Sequence, residues 1–298
     1  MIGIVTVLYN SAPVLEEYFS TLDIQTYKVF ILYVIDNKSS DNSLAEAERL
    51  SETVGFKTII LPQPENWGVA KGNNIGIKAA LKDKCDYVLL SNNDVVLEKD
   101  TIENLLKGHI DNNASLSVPK IYYWNTDKII WAAGGYFRLT DCSSRHYGMR
   151  KPDQGQFDKV RQIGYAPTCF MLINKSVFND VGFMDETYFV YYDDSDFIWR
   201  AVRKDRGKVY YIPSSLLWHK ESFSTGGSQS DFSIYYLARN RMYFAHKHFN
   251  FLQRVRLYMF LAFHYITRDL KLLTKDQRNL LKKGLADGKA LSKSTLGL

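Results

Sequence analysis

The first hundred residues alternate β-rich apolar runs with helix-forming segments, and this rhythm constrains the fold more than any other feature. Residues 2–9, 30–35, 58–61 and 87–90 are rich in branched and aromatic apolar side chains. Residues 43–50 and 69–82 have helical composition between turn-rich stretches. Strands joined through covering helices lie parallel, so a βαβαβαβ series predicts an α/β fold with a mostly parallel sheet flanked by helices. Such sheets bind ligands outside the carboxyl ends of their strands. Polar residues stand where three of the runs stop, at Tyr9-Asn10, Asp36-Asn37 and Asn92-Asn93-Asp94, so one polar rim is expected.

With 298 residues, 46% of them hydrophobic, the chain can build one large α/β domain and an appendage. Residues 2–9 read as a first buried strand rather than a secretory signal. Cys85, Cys142 and Cys169 have neither a disulfide framework nor zinc-ribbon spacing, so a reducing, cytoplasmic setting is expected. Beyond Trp131 the pattern loosens. Gly134-Gly135 opens a polar stretch through residue 160, expected as a mobile loop over the site, before an aromatic-rich region over 165–218.

The formal charge of +6 is concentrated at the end, where residues 251–298 hold ten Lys/Arg against three Asp/Glu. A near-neutral body argues against a nucleic-acid groove. We expect residues 1–250 to form the catalytic domain and 251–298 a basic, amphipathic helical extension, peripheral on an anionic membrane face. The apolar run 257–266 contains His264 and is too short to cross a bilayer of roughly 30 Å. Leu257, Phe260, Leu261 and Phe263 would supply its apolar face. Packing against the catalytic domain or a second subunit is the alternative.

Four tracts carry candidate chemistry. In SNNDVVL, Asp94 follows a buried strand, where a carboxylate can bind a hard divalent cation, although a polar turn is the simpler reading of that segment alone. In YFVYYDDSDFIWRA, Asp196 is explained by Arg200 four residues on and by the start of a helix. Asp193 and Asp194 are left facing aromatic surroundings, which raise a carboxylate's pKa and suit a general base. His219 is either an ordinary satisfied histidine or, beside a metal-binding aspartate, a nitrogen ligand. Gly68, Gly72 and Gly76 recur on one helix face, a close-packing signal, while Asn66, Lys71, Asn73 and Asn74 offer donors to a nucleotide at that helix start.

Taken in order, VTVLYN, VIDNKSSDNS, ENWGVAKGNNIGI, LLSNNDV, AAGGYF, the tract from PTCFML through DFIWRA, and LLWHKES resemble glycosyltransferase family 2, in its bacterial rhamnosyltransferase-like branch, over about residues 2–245. The resemblance implies a GT-A fold, a UDP- or dTDP-sugar donor, Mg²⁺ or Mn²⁺, and inverting transfer to a glycan or lipid-linked acceptor. By position, Asp36 matches the acid that binds the donor's pyrimidine, and Asp94 the last residue of a DXD metal motif whose first position here is Asn92, one negative charge fewer. Asp194 matches the general base, Asp193 its acidic neighbour, and His219 a histidine completing the metal site. Tyr9, Asp36, Asn66, Lys71, Asn74, Asn92 and Asn93 form the expected nucleotide-sugar set.

Other readings are a galactofuranosyl, glucosyl or N-acetylhexosaminyl transferase on the same scaffold, or a catalytically silent sugar-nucleotide-binding protein. A homo-oligomer is compatible with all of them. The first strand runs into YNSAP rather than a glycine fingerprint, which argues against a dinucleotide-binding dehydrogenase.

Overall fold

The computed structural model describes residues 1–203, 208–220 and 230–297. The expected rhythm is present as β1 (Ile2–Leu8), α1 (Ala12–Asp23), β2 (Phe30–Asp36), α2 (Ser43–Ser51), β3 (Lys57–Pro62), α3 (Gly68–Lys82) and β4 (Tyr87–Ser91). Then come β5 (Val95–Leu97), α4 (Thr101–Asp111), β6 (Leu116–Tyr123), β7 (Ile129–Ala132), β8 (Gly135–Arg138) and β9 (Ser143–His146). Short β10 (Lys151–Pro152) and β11 (Arg161–Gln162) lead to β12 (Phe170–Asn174), α5 (Lys175–Val181), α6 (Asp193–Arg203) and β13 (Val209–His219). The chain continues as α7 (Asp231–His248), α8 (Phe251–His264), a π-helical turn (Tyr265–Asp269), α9 (Leu270–Leu272) and α10 (Lys275–Leu296).

The chain divides into two compact units. The first comprises residues 1–136, 146–189 and the described part of the chain from 193 to 220. Its sheet runs β10-β7-β6-β12-β4-β1-β2-β3. β4, β1, β2 and β3 are parallel, as their covering helices require. β12 enters antiparallel between β4 and β6, and β13 lies parallel to β6 while pairing antiparallel with β5.

Alternation along β1 builds both faces of the core. Ile2, Ile4 and Leu8 join Leu15, Tyr18, Phe19 and Leu22 of α1, while Val5 joins Ala70, Ile77 and Ala80 of α3. The helical glycines set how closely α3 approaches. A Cβ at Gly76 would sit 2.3 Å from Val5 Cγ1, and one at Gly72 2.9 Å from Val7 Cγ1.

The stretch expected as a mobile covering loop is anchored through much of its length. Buried Lys120 of β6 pairs with Asp153 at 2.7 Å and Asp158 at 2.5 Å, and the Tyr122 hydroxyl donates to Asp153. The Arg161 guanidinium lies over the rings of Tyr147 and Phe157 and donates to the Ala133 carbonyl at 2.8 Å. Charged and polar residues that read as loop composition are here the means of attachment.

The second unit comprises residues 137–145, 190–192 and the described residues from 230 on. α10 lies close on α7, since a Cβ at Gly288 would be 2.1 Å from the Arg239 carbonyl oxygen. The Asn240 side chain donates to the carbonyls of Val190 and Tyr191, and Phe137 stacks on Phe244 at 5.0 Å. Asn250 and Gln253 cap the start of α8 reciprocally. Leu257, one of the apolar residues expected either to meet a membrane or to pack against protein, is buried.

Candidate active site

The ends of β1, β2 and β4 meet the start of α3 at one rim. Exposed Tyr9 follows β1, and Asn10, with φ of 54°, accepts from the Ser40 amide at 2.8 Å. Asp36 closes β2 and is buried, with both carboxylate oxygens 3.3 Å from the Ser39 amide. Asn37 joins the elements, its amide donating to Leu8 O at 2.9 Å and its side chain to Gly68 O at 3.0 Å. Gly68 has φ of +77°, and a Cβ there would meet the Phe189 carbonyl oxygen at 2.2 Å, so the turn requires glycine.

Asn66 accepts from the Gly68 amide at 2.9 Å, and the Lys71 ammonium lies 2.9 Å from the Trp67 ring centroid. Asn73 donates to Met184 Sδ at 3.7 Å. Asn74 is buried, accepting from the Met184 amide at 3.0 Å and donating to Met184 O and Glu186 Oε1, each at 2.9 Å. The face of α3 carrying Asn73 and Asn74 therefore grips residues 184–186, the segment leading toward α6.

Past β4, the Asn92 amide donates to Cys169 O at 2.7 Å and the Asn93 side chain to Val7 O at 2.9 Å. Asp94 is buried, and its Oδ1 lies 3.1 Å from His219 Nε2. The partnership follows from register: β13 runs antiparallel to β5 with His219 opposite Val95. Burial alone would raise the Asp94 carboxyl, but the hydrogen bond and charge of His219, with help from Asn92, hold it below the usual carboxylate range.

Asp193 and Asp194 begin α6, just after Tyr191 and Tyr192, whose φ values are 60° and 67°. Consecutive bulky residues in left-handed backbone are uncommon and concentrate at functional sites. Burial, then the charge of Asp194, pushes Asp193 up to about 8. Burial also raises Asp194, against the opposing hydrogen bonds from Tyr165 and Ser195. The Tyr165 hydroxyl donates to Asp194 Oδ2 at 2.5 Å. Asp196 is engaged elsewhere, accepting from Arg200 Nε at 2.7 Å, and Arg200 also donates to the carbonyls of Val181 and Phe183.

A series of rings joins the two carboxylate stations. Trp131 sits edge-on to His219 at 4.6 Å and against His146 at 4.8 Å, and His146 lies 5.8 Å from Tyr165. The buried Cys169 thiol is pushed well up, first by burial and then by the charges of Asp94 and Asp194, which both act on it. The carboxylates, about a hundred residues apart in the chain, thus stand at the two ends of one series of side-chain contacts. Trp131, His146 and Tyr165 do not stand out as site residues in the sequence; the only signal is the aromatic content around the AAGGYF and PTCFML tracts.

Among the described residues, no group of three or more His, Cys, Asp and Glu side chains forms a metal cage. Asp94 and His219 still suit one divalent cation. Their 3.1 Å separation is close to the edge of an octahedron with bonds of about 2.1 Å; the carboxylate suits Mg²⁺ or Mn²⁺, while the imidazole favours a transition ion such as Mn²⁺ over Mg²⁺. The buried His219 Nδ1 has no hydrogen-bond partner among the described residues, so the second-shell acceptor that usually fixes a ligating histidine's tautomer is not seen there.

The family model described as Glycosyl transferase family 2 matches residues 3–182. A low-salt glycan biosynthesis hexosyltransferase, Agl10 of Haloferax volcanii, is 26% identical over 59% of this chain, which spans 56% of that relative's length. An N-acetylglucosaminyl-diphospho-decaprenol L-rhamnosyltransferase of Mycobacterium tuberculosis is 23% identical over 76% of this chain and 78% of its own. Among solved structures, S. aureus TarS 1-349 in complex with UDP-GlcNAc superposes with a TM-score of 0.65 at 15% identity, covering 96% of this chain and 80% of that one. The mannosyltransferase PcManGT of Pyrobaculum calidifontis, in complex with GDP-Man and Mn²⁺, gives 0.59 at 13% identity, covering 98% and 86%.

Proposed function

Because the chain belongs to glycosyl transferase family 2 and has the GT-A fold, we propose that it moves a sugar from a nucleoside-diphosphate donor to an acceptor hydroxyl with inversion. The observation that carries this reading is the linkage of Asp94, paired with His219, to Asp194, held by Tyr165, through the rings of Trp131 and His146. We assign the chemistry to residues 1–250 and treat 251–298 as an extension.

In this reading Asp36 accepts from the donor's pyrimidine, and Tyr9, Asn66, Lys71, Asn92 and Asn93 border the nucleotide sugar along the rim. Asn74 supports that wall through its grip on residues 184–186. Asp94 and His219 would hold the divalent cation, which when bound stabilises negative charge on the departing diphosphate. Manganese in the PcManGT complex supports the use of a divalent cation on this fold. Asp194 accepts the acceptor hydroxyl's proton as attack proceeds. Burial raises both carboxyls of the pair, the charge of Asp194 adding to the rise of Asp193, and the hydrogen bonds from Tyr165 and Ser195 favour the charged form of Asp194.

The rhamnosyltransferase relative supports a deoxyhexose donor such as dTDP-rhamnose and a lipid-linked acceptor. The TarS complex supports a second reading, N-acetylhexosaminyl transfer from a UDP-sugar. A donor panel assayed for nucleoside-diphosphate release, with and without Mn²⁺ and with candidate acceptors, separates them. Release from no donor in any combination would leave a silent sugar-nucleotide-binding protein.

A further inference from the structure

α8 and the turns after it carry an apolar stripe that the protein leaves uncovered. Leu252, Met259, Phe263 and Ile266 are 75%, 63%, 67% and 64% exposed, and Leu270 of α9 continues the line. Their spacings of seven, four, three and four residues keep them on one side of a helical path. Such a run of large exposed apolar side chains is unusual for a surface that meets only water. No helix among the described residues is long and apolar enough to cross a membrane.

Charge decides what covers the stripe. Residues 251–268 contain no Asp or Glu, while Arg254, Arg256 and Arg268 stand among the apolar positions and Lys271 and Lys275 follow. The extension as a whole has ten basic residues against three acidic ones. A second copy would bring like charge against like charge, a poor match for a self-complementary interface. An anionic bilayer accepts both features, apolar side chains entering the acyl boundary and basic ones meeting headgroups.

We propose that Leu252, Met259, Phe263, Ile266 and Leu270 form a shallow insertion edge that docks this protein on an anionic lipid bilayer. The inserting residues differ in part from those the sequence favours, since Leu257 faces inward. The inference stands apart from the transfer reaction proposed above and is tested without it.

The full chain is floated with phosphatidylcholine vesicles with and without phosphatidylglycerol, at low and high salt, alongside sedimentation to measure its oligomeric state. Binding is expected only with phosphatidylglycerol present, weakening as salt rises. Met259→Glu with Phe263→Glu, exposed positions whose folding is checked by circular dichroism, should weaken partitioning roughly tenfold or more. Arg256→Gln with Lys271→Gln should weaken it about fivefold for each charge removed. Failure of the full chain to float at low salt, equal flotation with neutral vesicles, or undiminished flotation of the Met259→Glu, Phe263→Glu protein would overturn the proposal. A salt-stable dimer that these glutamates convert to monomer would assign the stripe to a second copy instead.

Discussion

Tyr165 donates its hydroxyl to Asp194 Oδ2 at 2.5 Å, so the proposed base is oriented by a residue 29 positions earlier in the chain. That hydrogen bond favours the charged carboxylate and partly offsets the upward push of burial. Tyr165→Phe should therefore raise the Asp194 pKa further and move the acidic limb of the kcat profile to higher pH, with donor affinity little changed. A profile superposing on that of the unmodified enzyme would remove Tyr165 from this role.

Asp194→Asn keeps the shape of the site and removes its proton acceptor. Turnover should fall by roughly 100-fold or more while donor binding persists. Near-normal product formation in a single-turnover assay would reassign the base.

Asp94→Ala and His219→Ala should each weaken Mn²⁺ and donor binding together, because both side chains are assigned to one cation. Titration calorimetry with and without EDTA tests this. Donor affinity indifferent to both substitutions and to chelation would contradict the metal assignment.

Asp193 gives stability a definite pH dependence. Burial and the neighbouring Asp194 charge push its folded carboxyl up to about 8, against about 4 for an unfolded aspartate. Between those values the folded protein holds a proton that the unfolded chain has released, so stability falls as pH rises through the window. Asp193→Asn should lessen that slope, which the likewise raised Asp194 shares, stabilising the protein more at the upper end than at the lower. Denaturant melts across the range give the comparison.

Gly76→Ala should destabilise the protein by about 1–3 kcal/mol, because its new methyl group meets Val5 Cγ1 inside a packed strand–helix interface. Gly55, whose nearest neighbour is the Asp23 carboxylate at 3.4 Å, is the control, and Gly55→Ala should shift the melt by no more than about 0.5 kcal/mol.

The βαβ rhythm is legible in the sequence because β1 to β4 and their helices are local: each announces itself within a dozen residues through apolar periodicity and turn chemistry. Asp36 and Asp94 are legible because strand ends can be located from those same runs. The antiparallel entry of β12 between β4 and β6 is not, since the pairing of Met171 with Leu90 spans 81 residues without a local mark. The partnership of Trp131 with His219 is hidden for the same reason. On α8, helical periodicity is visible, but which side turns inward depends on its seat against α7, where His246 meets the Tyr258 hydroxyl at 2.8 Å. The sequence alone therefore leaves open whether Leu257 packs inward, as it does, or faces outward.

Placed against both His219 and His146, Trp131 also equips the site with an optical probe. The indole lies edge-on to His219, so the fluorescence of this one tryptophan should change when a ligand binds at that imidazole. Subtracting the spectrum of Trp131→Phe isolates that signal from the four other tryptophans. Events at the rim can then be followed in real time without a label, before any sugar has been identified.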